Sequence, residues 1–196
     1  MQLTSKQKMG ALAALAGLMA LTRYNHFGSE VALPDASLAV FFLAGVVFPR
    51  MGQMALLVLV GLLLEAGAID YYATQIQGVS DWCITPAYWF LIPTYAVLWL
   101  GGSWFARRMQ MSWRSLAEFG AVAWLCMSVA FVMSNASFYL WSDRLGNMSV
   151  GDYVESVGQY YLPYLTSGAL YLLIVAASFV PYQLVVRNRA ADTFQN

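Results

Sequence analysis

Apolar residues fall into six runs along the chain, and short segments between them hold nearly all charged and amide side chains. The runs span residues 9–22, 36–48, 51–69, 86–105, 116–141 and 161–181. A membrane-spanning helix needs about 20 mostly apolar residues, so the first run has to tilt or include flanking residues. The pattern predicts an all-α integral membrane protein with six transmembrane helices in a single domain over residues 1–196.

Composition supports the membrane class. The 196 residues are 60% hydrophobic and 10% charged, whereas soluble domains average about 25% charged residues. The formal net charge is zero, and the basic residues are spread over many loops rather than gathered in one patch. We therefore expect a lipid bilayer and not a nucleic acid as the partner.

The positions of lysine and arginine predict the orientation, because cytoplasmic loops are rich in these residues. With the N-terminus inside, only Arg23 and Arg144 lie on the outer side. The inner side then holds Lys6, Lys8, Arg50, Arg107, Arg108, Arg114, Arg187 and Arg189. This bias predicts that both termini are cytoplasmic.

The three outer connections, residues 23–35, 70–85 and 142–160, are longer than the inner turns and rich in aromatic and amide side chains. Such a one-sided cap is typical of a binding cavity that opens to the outside. Residues 149–160 are expected to form a short helix at that opening.

The stretch from Asp81 to Trp89 contains the residue with the most distinctive chemistry, Cys83. Pro86 suits the first turn of a helix, so Cys83 is expected just before a helix N-terminus. The positive end of a helix dipole lowers a thiol pKa, and a thiolate is a nucleophile and a soft metal ligand. A loop thiol without a role is the alternative. Cys126 lies within an apolar run and is interpreted as a small buried residue.

Other chemistries are limited by what the sequence lacks. It has no Gly-Lys-Ser/Thr phosphate loop, no His-Glu-x-x-His and no Gly-x-Ser-x-Gly motif. A single histidine excludes a multi-histidine metal site. An enzyme with Cys83 as nucleophile would need His26 as its base, and a haem or quinone protein is a weaker alternative. Asp70 is interpreted either as a hydrogen-bond acceptor for a ligand or as a solvated loop acid.

The first run has small residues at helical spacing, which lets another helix approach closely. They are Gly10, Ala13, Ala14, Ala16, Gly17 and Ala20. The neighbouring helix belongs either to the same bundle or to a partner subunit.

The six short helices, the alanine-rich first helix, the outward-facing cavity and the lack of an ATPase motif resemble the S-components of energy-coupling factor (ECF) transporters. Within that group, Asp81-Trp82-Cys83 followed by Pro86-Ala87-Tyr88 is similar to the BtuM family of cobalamin transporters. The resemblance implies an S-component-like bundle in a bacterial inner membrane that takes up cobalamin. It also implies that Cys83 ligates the cobalt.

The same resemblance implies further site residues. Asp70 and Tyr88 are expected to line the cavity, and topology adds Tyr72, Trp82 and Arg144. Ala13, Ala16, Gly17 and Ala20 are expected to dock on an ECF-type transmembrane coupling subunit that acts with ATPases. A thiolate can replace the cyanide of cyanocobalamin, so Cys83 is also the candidate for a decyanation step. A binding component for another vitamin or bulky cofactor is the remaining alternative.

Overall fold

Helices form every regular element in the part of the chain that the structure, a computed structural model, describes. That part comprises residues 4–26, 33–110 and 112–177, without the side chains of Asn25 and His26. Its α-helices are α1 (Ser5–His26), α2 (Ser37–Val47), α3 (Gln53–Tyr71), α4 (Leu91–Ala106), α5 (Trp113–Trp141), α6 (Val150–Gly158) and α7 (Tyr161–Ala177). A π-helical turn, Tyr72–Ile76, extends α3, and a 3-10 helix, Pro86–Phe90, precedes α4.

Each of the six apolar runs coincides with a helix, and the short helix predicted within 149–160 is α6. Several boundaries differ from the sequence prediction, most of all in the first and fourth runs. The first helix starts before residue 9 and continues past residue 22, and the fourth run begins as a 3-10 helix before it becomes α-helical at Leu91. Residues 178–181 of the last predicted helix lie outside the described residues.

Two helices in the described part of the chain are long and apolar enough to cross a membrane. They are Gln53–Ile76, which joins α3 to its π-helical turn, and Trp113–Trp141, which is α5. The pair α6 and α7 becomes a third candidate if the 42° bend between them is counted within one broken span. The described part of the chain is thus all-helical, with two to three candidate membrane-spanning helices.

Helix α2 forms the centre of the bundle, and all of its residues from Ser37 to Gly45 are buried. A helix that is apolar on every side belongs in a protein core or in lipid, and the burial of α2 assigns it to the core. The Phe41 ring stacks on Tyr95 of α4 with ring centroids 4.1 Å apart. Near the other end of α2, the Phe48 ring is stacked 6.4 Å from Trp99.

Two glycines allow α2 and α4 to approach closely. A β-carbon on Gly45 would collide with the carbonyl oxygen of Trp99, and one on Gly102 would collide with the carbonyl oxygen of Phe42. The Ser103 hydroxyl also donates a hydrogen bond to the Gly45 carbonyl, at 3.2 Å. Close backbone contact of this kind stabilises helix pairs in membranes, where lipid tails remove the hydrophobic incentive to associate.

We expect Gly102→Ala to destabilise the protein by about 1–3 kcal/mol, because the new methyl group overpacks a rigid backbone contact. Gly61→Ala is the matched control, since a β-carbon there would meet nothing within 4 Å and alanine is the better helix former. Thermal unfolding of both variants in detergent measures the difference. Equal melting temperatures would contradict the close approach of α2 and α4.

Candidate functional site

The three connections predicted to lie outside meet at one end of the bundle. The Gln77 amide donates to the Tyr24 hydroxyl at 2.8 Å, which brings the end of α1 to the segment after α3. Arg144, which follows α5, lies 3.8 Å from a carboxylate oxygen of Asp81, and the Phe90 ring stacks on Trp141 at 4.5 Å. We call this the loop end and define it as residues 22–26, 33–37, 70–90 and 141–149.

A buried ion pair between Arg23 of α1 and Asp70 of α3 lies at the loop end. Arg23 is 6% exposed and Asp70 is 4% exposed. The guanidinium donates from Nε to Oδ1 at 2.6 Å and from Nη2 to Oδ2 at 2.5 Å. This two-point geometry matches the planar fork of arginine to both carboxylate oxygens. Because both charges are buried, the loss of either one would leave the other buried without a compensating charge.

Three further elements contribute polar groups to the same pair. Arg23 Nη1 donates to the Tyr95 hydroxyl at 2.7 Å and to the Ser37 hydroxyl at 2.9 Å. The Tyr88 hydroxyl donates to Asp70 Oδ2 at 2.7 Å. The resulting network joins α1, α2, α3, α4 and the 3-10 helix. Buried polar networks with satisfied partners fix a single arrangement of the elements that they connect.

The segment before α2 is held to the same network. Asp35 accepts hydrogen bonds from the Ser37 backbone N–H at 2.9 Å and from the Ser37 hydroxyl at 2.7 Å, which satisfies a backbone donor at the helix start. One oxygen of Asp35 also lies 3.4 Å from Arg23. The Ala36 backbone N–H donates to the Thr22 hydroxyl at 3.1 Å. The start of α2 is therefore fastened to the end of α1.

Cys83 lies in the turn before the 3-10 helix and is an exposed free thiol. Its carbonyl accepts a hydrogen bond from the Thr85 backbone N–H at 3.1 Å. Partial burial raises the pKa of the Cys83 thiol, and the negative charge of Asp70 raises it further. The prediction that a helix N-terminus lowers this pKa is therefore wrong. The element that follows is a short 3-10 helix, and Asp70 is the charge acting on the thiol.

Thr85 begins the 3-10 helix without capping it. The residue occupies the N-cap position, but its side chain makes no capping hydrogen bond. Within the described part of the chain its hydroxyl oxygen is buried and lacks a hydrogen-bond partner. Such an orphan polar atom is uncommon and calls for an explanation, a bound group being one.

Trp82 and Arg144 are brought together by the fold. The Arg144 guanidinium lies over the Trp82 ring, 5.3 Å from its centroid. A cation above an aromatic face is attracted by the ring electrons. This contact, with the Arg144–Asp81 pair, connects the segment after α5 to the Cys83 turn.

Tyr72 is also at the loop end but takes no part in the Arg23 network. Its ring lies 6.2 Å from Tyr24 in a tilted arrangement, and the residue is exposed. Of the candidate cavity residues, Asp70 and Tyr88 are in direct contact, Trp82 and Arg144 form a second pair, and Tyr72 lies apart from both pairs.

The small residues of α1 divide between two faces. Ala13 and Gly17 are exposed, whereas Ala16 and Ala20 are half-buried. Ala16 packs on the core, and a β-carbon on Gly17 would meet nothing within 4 Å. Only the first pair leaves room for a second helix without moving the bundle.

An apolar cavity of about 450 Å³ lies between α3 and the start of α4. Its polar lining consists of tyrosines, Tyr88 and Tyr95, both members of the buried network. The rest of the lining comprises Leu63, Leu64, Ala66, Gly67, Ala68, Trp89, Leu91 and Ile92.

Arg23 is the charged member of the network that the sequence interpretation missed, and its partners Tyr95 and Ser37 were missed with it. The pattern assigns it to an outer loop, because the apolar run before it ends at residue 22. The available signal was a pairing: Arg23 directly follows one apolar run, and Asp70 directly follows another, on the same predicted side. Ionisable residues at membrane depth usually pair with each other.

The alternative in which Cys83 is an enzyme nucleophile stays a prediction, because the His26 side chain lies outside those described. No protein-family model matches this chain, and no curated protein is significantly similar to it.

Proposed function

We propose that this chain is a membrane transport protein that binds cobalamin at the loop end, with Cys83 as an axial ligand of the cobalt. The observation that supports this most is that the Cys83 turn directly precedes the 3-10 helix whose Tyr88 contacts Asp70 of α3. Cys83 of the turn is an exposed thiol, and the negative charge of Asp70 raises its pKa. Asp70 of α3 accepts a hydrogen bond from Tyr88 of the 3-10 helix. The resemblance to the BtuM family singles out these same positions.

The chemistry of the donor set fits a corrinoid. The corrin ring supplies the equatorial nitrogens of its own cobalt, so the protein has to provide a single axial ligand. A thiol is a soft ligand of the kind that cobalt accepts. Cys83 is exposed, whereas Cys126 is buried, so a large flat ligand can reach only the first thiol.

Binding of cyanocobalamin in this way releases cyanide. The S–H bond of Cys83 breaks and sulfur bonds to cobalt, while the bond from cobalt to cyanide breaks. The cyanide leaves with the thiol proton as hydrogen cyanide, and cobalt keeps its oxidation state. The thiol proton leaves in this step because a cysteine binds a metal as the thiolate.

Titration of the purified protein with cyanocobalamin tests the function. We expect a change in the visible absorbance of the corrinoid and release of about one equivalent of cyanide per Cys83 thiol, as single axial ligation requires. Absence of both binding and spectral change would remove cobalamin as the ligand.

The proposal includes the arrangement in the membrane. It takes the six helical runs as six spans in a bacterial inner membrane, with the loop end outside and both termini cytoplasmic. The distribution of basic residues supports this orientation.

The exposed part of the small-residue face on α1 is the proposed docking surface for an ECF-type coupling subunit. Ala13→Leu combined with Gly17→Leu should impair cobalamin uptake in cells and leave binding by the purified protein unchanged, since both positions are exposed. Ala16→Leu with Ala20→Leu is the comparison, and we expect it to lower stability because these residues face the bundle. Normal uptake by the first double variant would contradict docking on this face.

A further inference from the structure

The Cys83 turn is connected to the segment after α5 through exposed side chains, by the Arg144–Trp82 contact and the Arg144–Asp81 pair. Its own hydrogen bonds are local, from the Ile84 N–H to the Asp81 carbonyl at 2.8 Å and from the Thr85 N–H to the Cys83 carbonyl at 3.1 Å. Local bonds of this kind shape a turn but do not fix its place relative to the helices. A site that has to present one sulfur atom to a metal requires support from residues behind it.

A continuous chain of hydrogen bonds supplies this support. The Thr85 carbonyl accepts from the Tyr88 N–H at 2.9 Å, which joins the turn to the 3-10 helix. The Tyr88 hydroxyl donates a hydrogen bond to Asp70, and Arg23 donates hydrogen bonds to both carboxylate oxygens of Asp70. Arg23 is therefore three contacts away from the turn and cannot touch a ligand there, because it is 6% exposed and fully committed to its partners.

We propose that Arg23 is a positioning residue of the Cys83 site: it fixes Asp70, and through Tyr88 it fixes the turn that presents the thiol. The benefit of a fixed thiol rests on the proposed function, because it assumes that Cys83 binds cobalt. The effect of Arg23 on the position of the turn does not require cobalamin. The other charges near the turn connect it to the segment after α5 and not to Arg23. Asp81 and Arg144 are more exposed and pair with each other at 3.8 Å, outside the buried network.

Arginine suits this role better than lysine. Its planar fork reaches both oxygens of Asp70 while Nη1 donates to Tyr95 and Ser37, so the carboxylate is held against rotation as well as translation. Lysine has a single point charge and cannot make the same bidentate pair of hydrogen bonds to the carboxylate. The orientation of the carboxylate determines where Oδ2 meets the Tyr88 hydroxyl.

A spin label on Cys83 tests the link without any ligand. In a Cys126→Ala background Cys83 is the remaining cysteine, and the width of the electron paramagnetic resonance lines reports its mobility. We expect narrower lines, from a more mobile turn, in Tyr88→Phe and in Arg23→Gln. Arg23→Lys should lie between Arg23→Gln and the unsubstituted protein. Arg114→Gln is the matched control, since it removes only an exposed ion pair with Glu118, and its line shape should not change.

Kinetics with cyanocobalamin separate positioning from a loss of fold. With Cys83 intact, we expect Arg23→Lys and Tyr88→Phe to reach the same final spectrum as the unsubstituted protein, but about tenfold more slowly, the effect of losing one positioning contact. A variant that is merely unfolded loses amplitude instead. If the unsubstituted protein shows no spectral change, the proposed function fails. The spin-label result still shows whether Arg23 holds the Cys83 turn in place.

Unchanged line shapes in both Arg23 variants would overturn the assignment. If Arg23→Gln does not fold, an unchanged line shape in Arg23→Lys overturns it alone. Mobility that increases in Tyr88→Phe but in neither Arg23 variant also overturns it, because Tyr88 would then hold the turn without Arg23.

Discussion

Replacing Cys83 by alanine is expected to abolish both the spectral change and the release of cyanide when cyanocobalamin is added. The thiol is exposed at the loop end, and in the proposed mechanism the new cobalt–sulfur bond displaces cyanide. Without sulfur, the corrinoid keeps its upper ligand, so its absorbance should remain that of free cyanocobalamin. We expect affinity to fall as well, because a metal–ligand bond is lost while the polar contacts of the ring remain.

Cys126→Ala is the control for this result. Cys126 is a thiol too, but it is buried in α5 against Gly101 of α4. This variant should bind cyanocobalamin, change its spectrum and release cyanide like the unsubstituted protein. An unchanged spectral shift in Cys83→Ala would remove cobalt ligation from the proposal, and with it the main reason for choosing cobalamin.

Removing the carboxylate of Asp70 should cause the largest loss of stability. Asp70→Ala leaves the guanidinium of Arg23 buried with only the more distant Asp35 as an anionic partner. Breaking a buried ion pair in this way costs about 3–5 kcal/mol. It also leaves the Tyr88 hydroxyl without its acceptor. Chemical or thermal unfolding in detergent, followed by tryptophan fluorescence, measures the effect.

Two comparisons make the Asp70 result specific. Glu118→Ala breaks the exposed pair with Arg114 and should change stability by less than about 1 kcal/mol. A double variant, Arg23→Met with Asp70→Leu, should recover much of the loss, because no unpaired buried charge remains. If Asp70→Ala were no more harmful than Glu118→Ala, the pair would not be buried in the folded protein.

The helices were predictable because one signal dominates in this class of protein. In a membrane every backbone polar group needs an internal partner, so long apolar runs become helices, as α3 and α5 do. Their ends were less predictable. The charge of Arg23 predicts that the first helix ends at residue 22, yet α1 continues to His26, since Asp70 compensates that charge within the bundle.

The sequence indicated several candidate residues at the loop end, but it indicated neither Arg23, which pairs with Asp70, nor the electrostatics around Cys83. Asp70, Cys83 and Tyr88 follow from a family resemblance, and the fold places Asp70 and Tyr88 in contact. The predicted direction of the Cys83 pKa shift was wrong. The shift depends on burial and on Asp70, a residue thirteen positions earlier in the chain. Such effects come from tertiary contacts, which spacing along the chain does not reveal.

The proposed bond between cobalt and the sulfur of Cys83 is measured directly by X-ray absorption at the cobalt edge. The sample is the purified full chain after incubation with cyanocobalamin. We expect a sulfur neighbour of cobalt in the unsubstituted protein and in Cys126→Ala, and none in Cys83→Ala. A cobalt environment made only of nitrogen, carbon and oxygen in the unsubstituted protein would contradict this expectation.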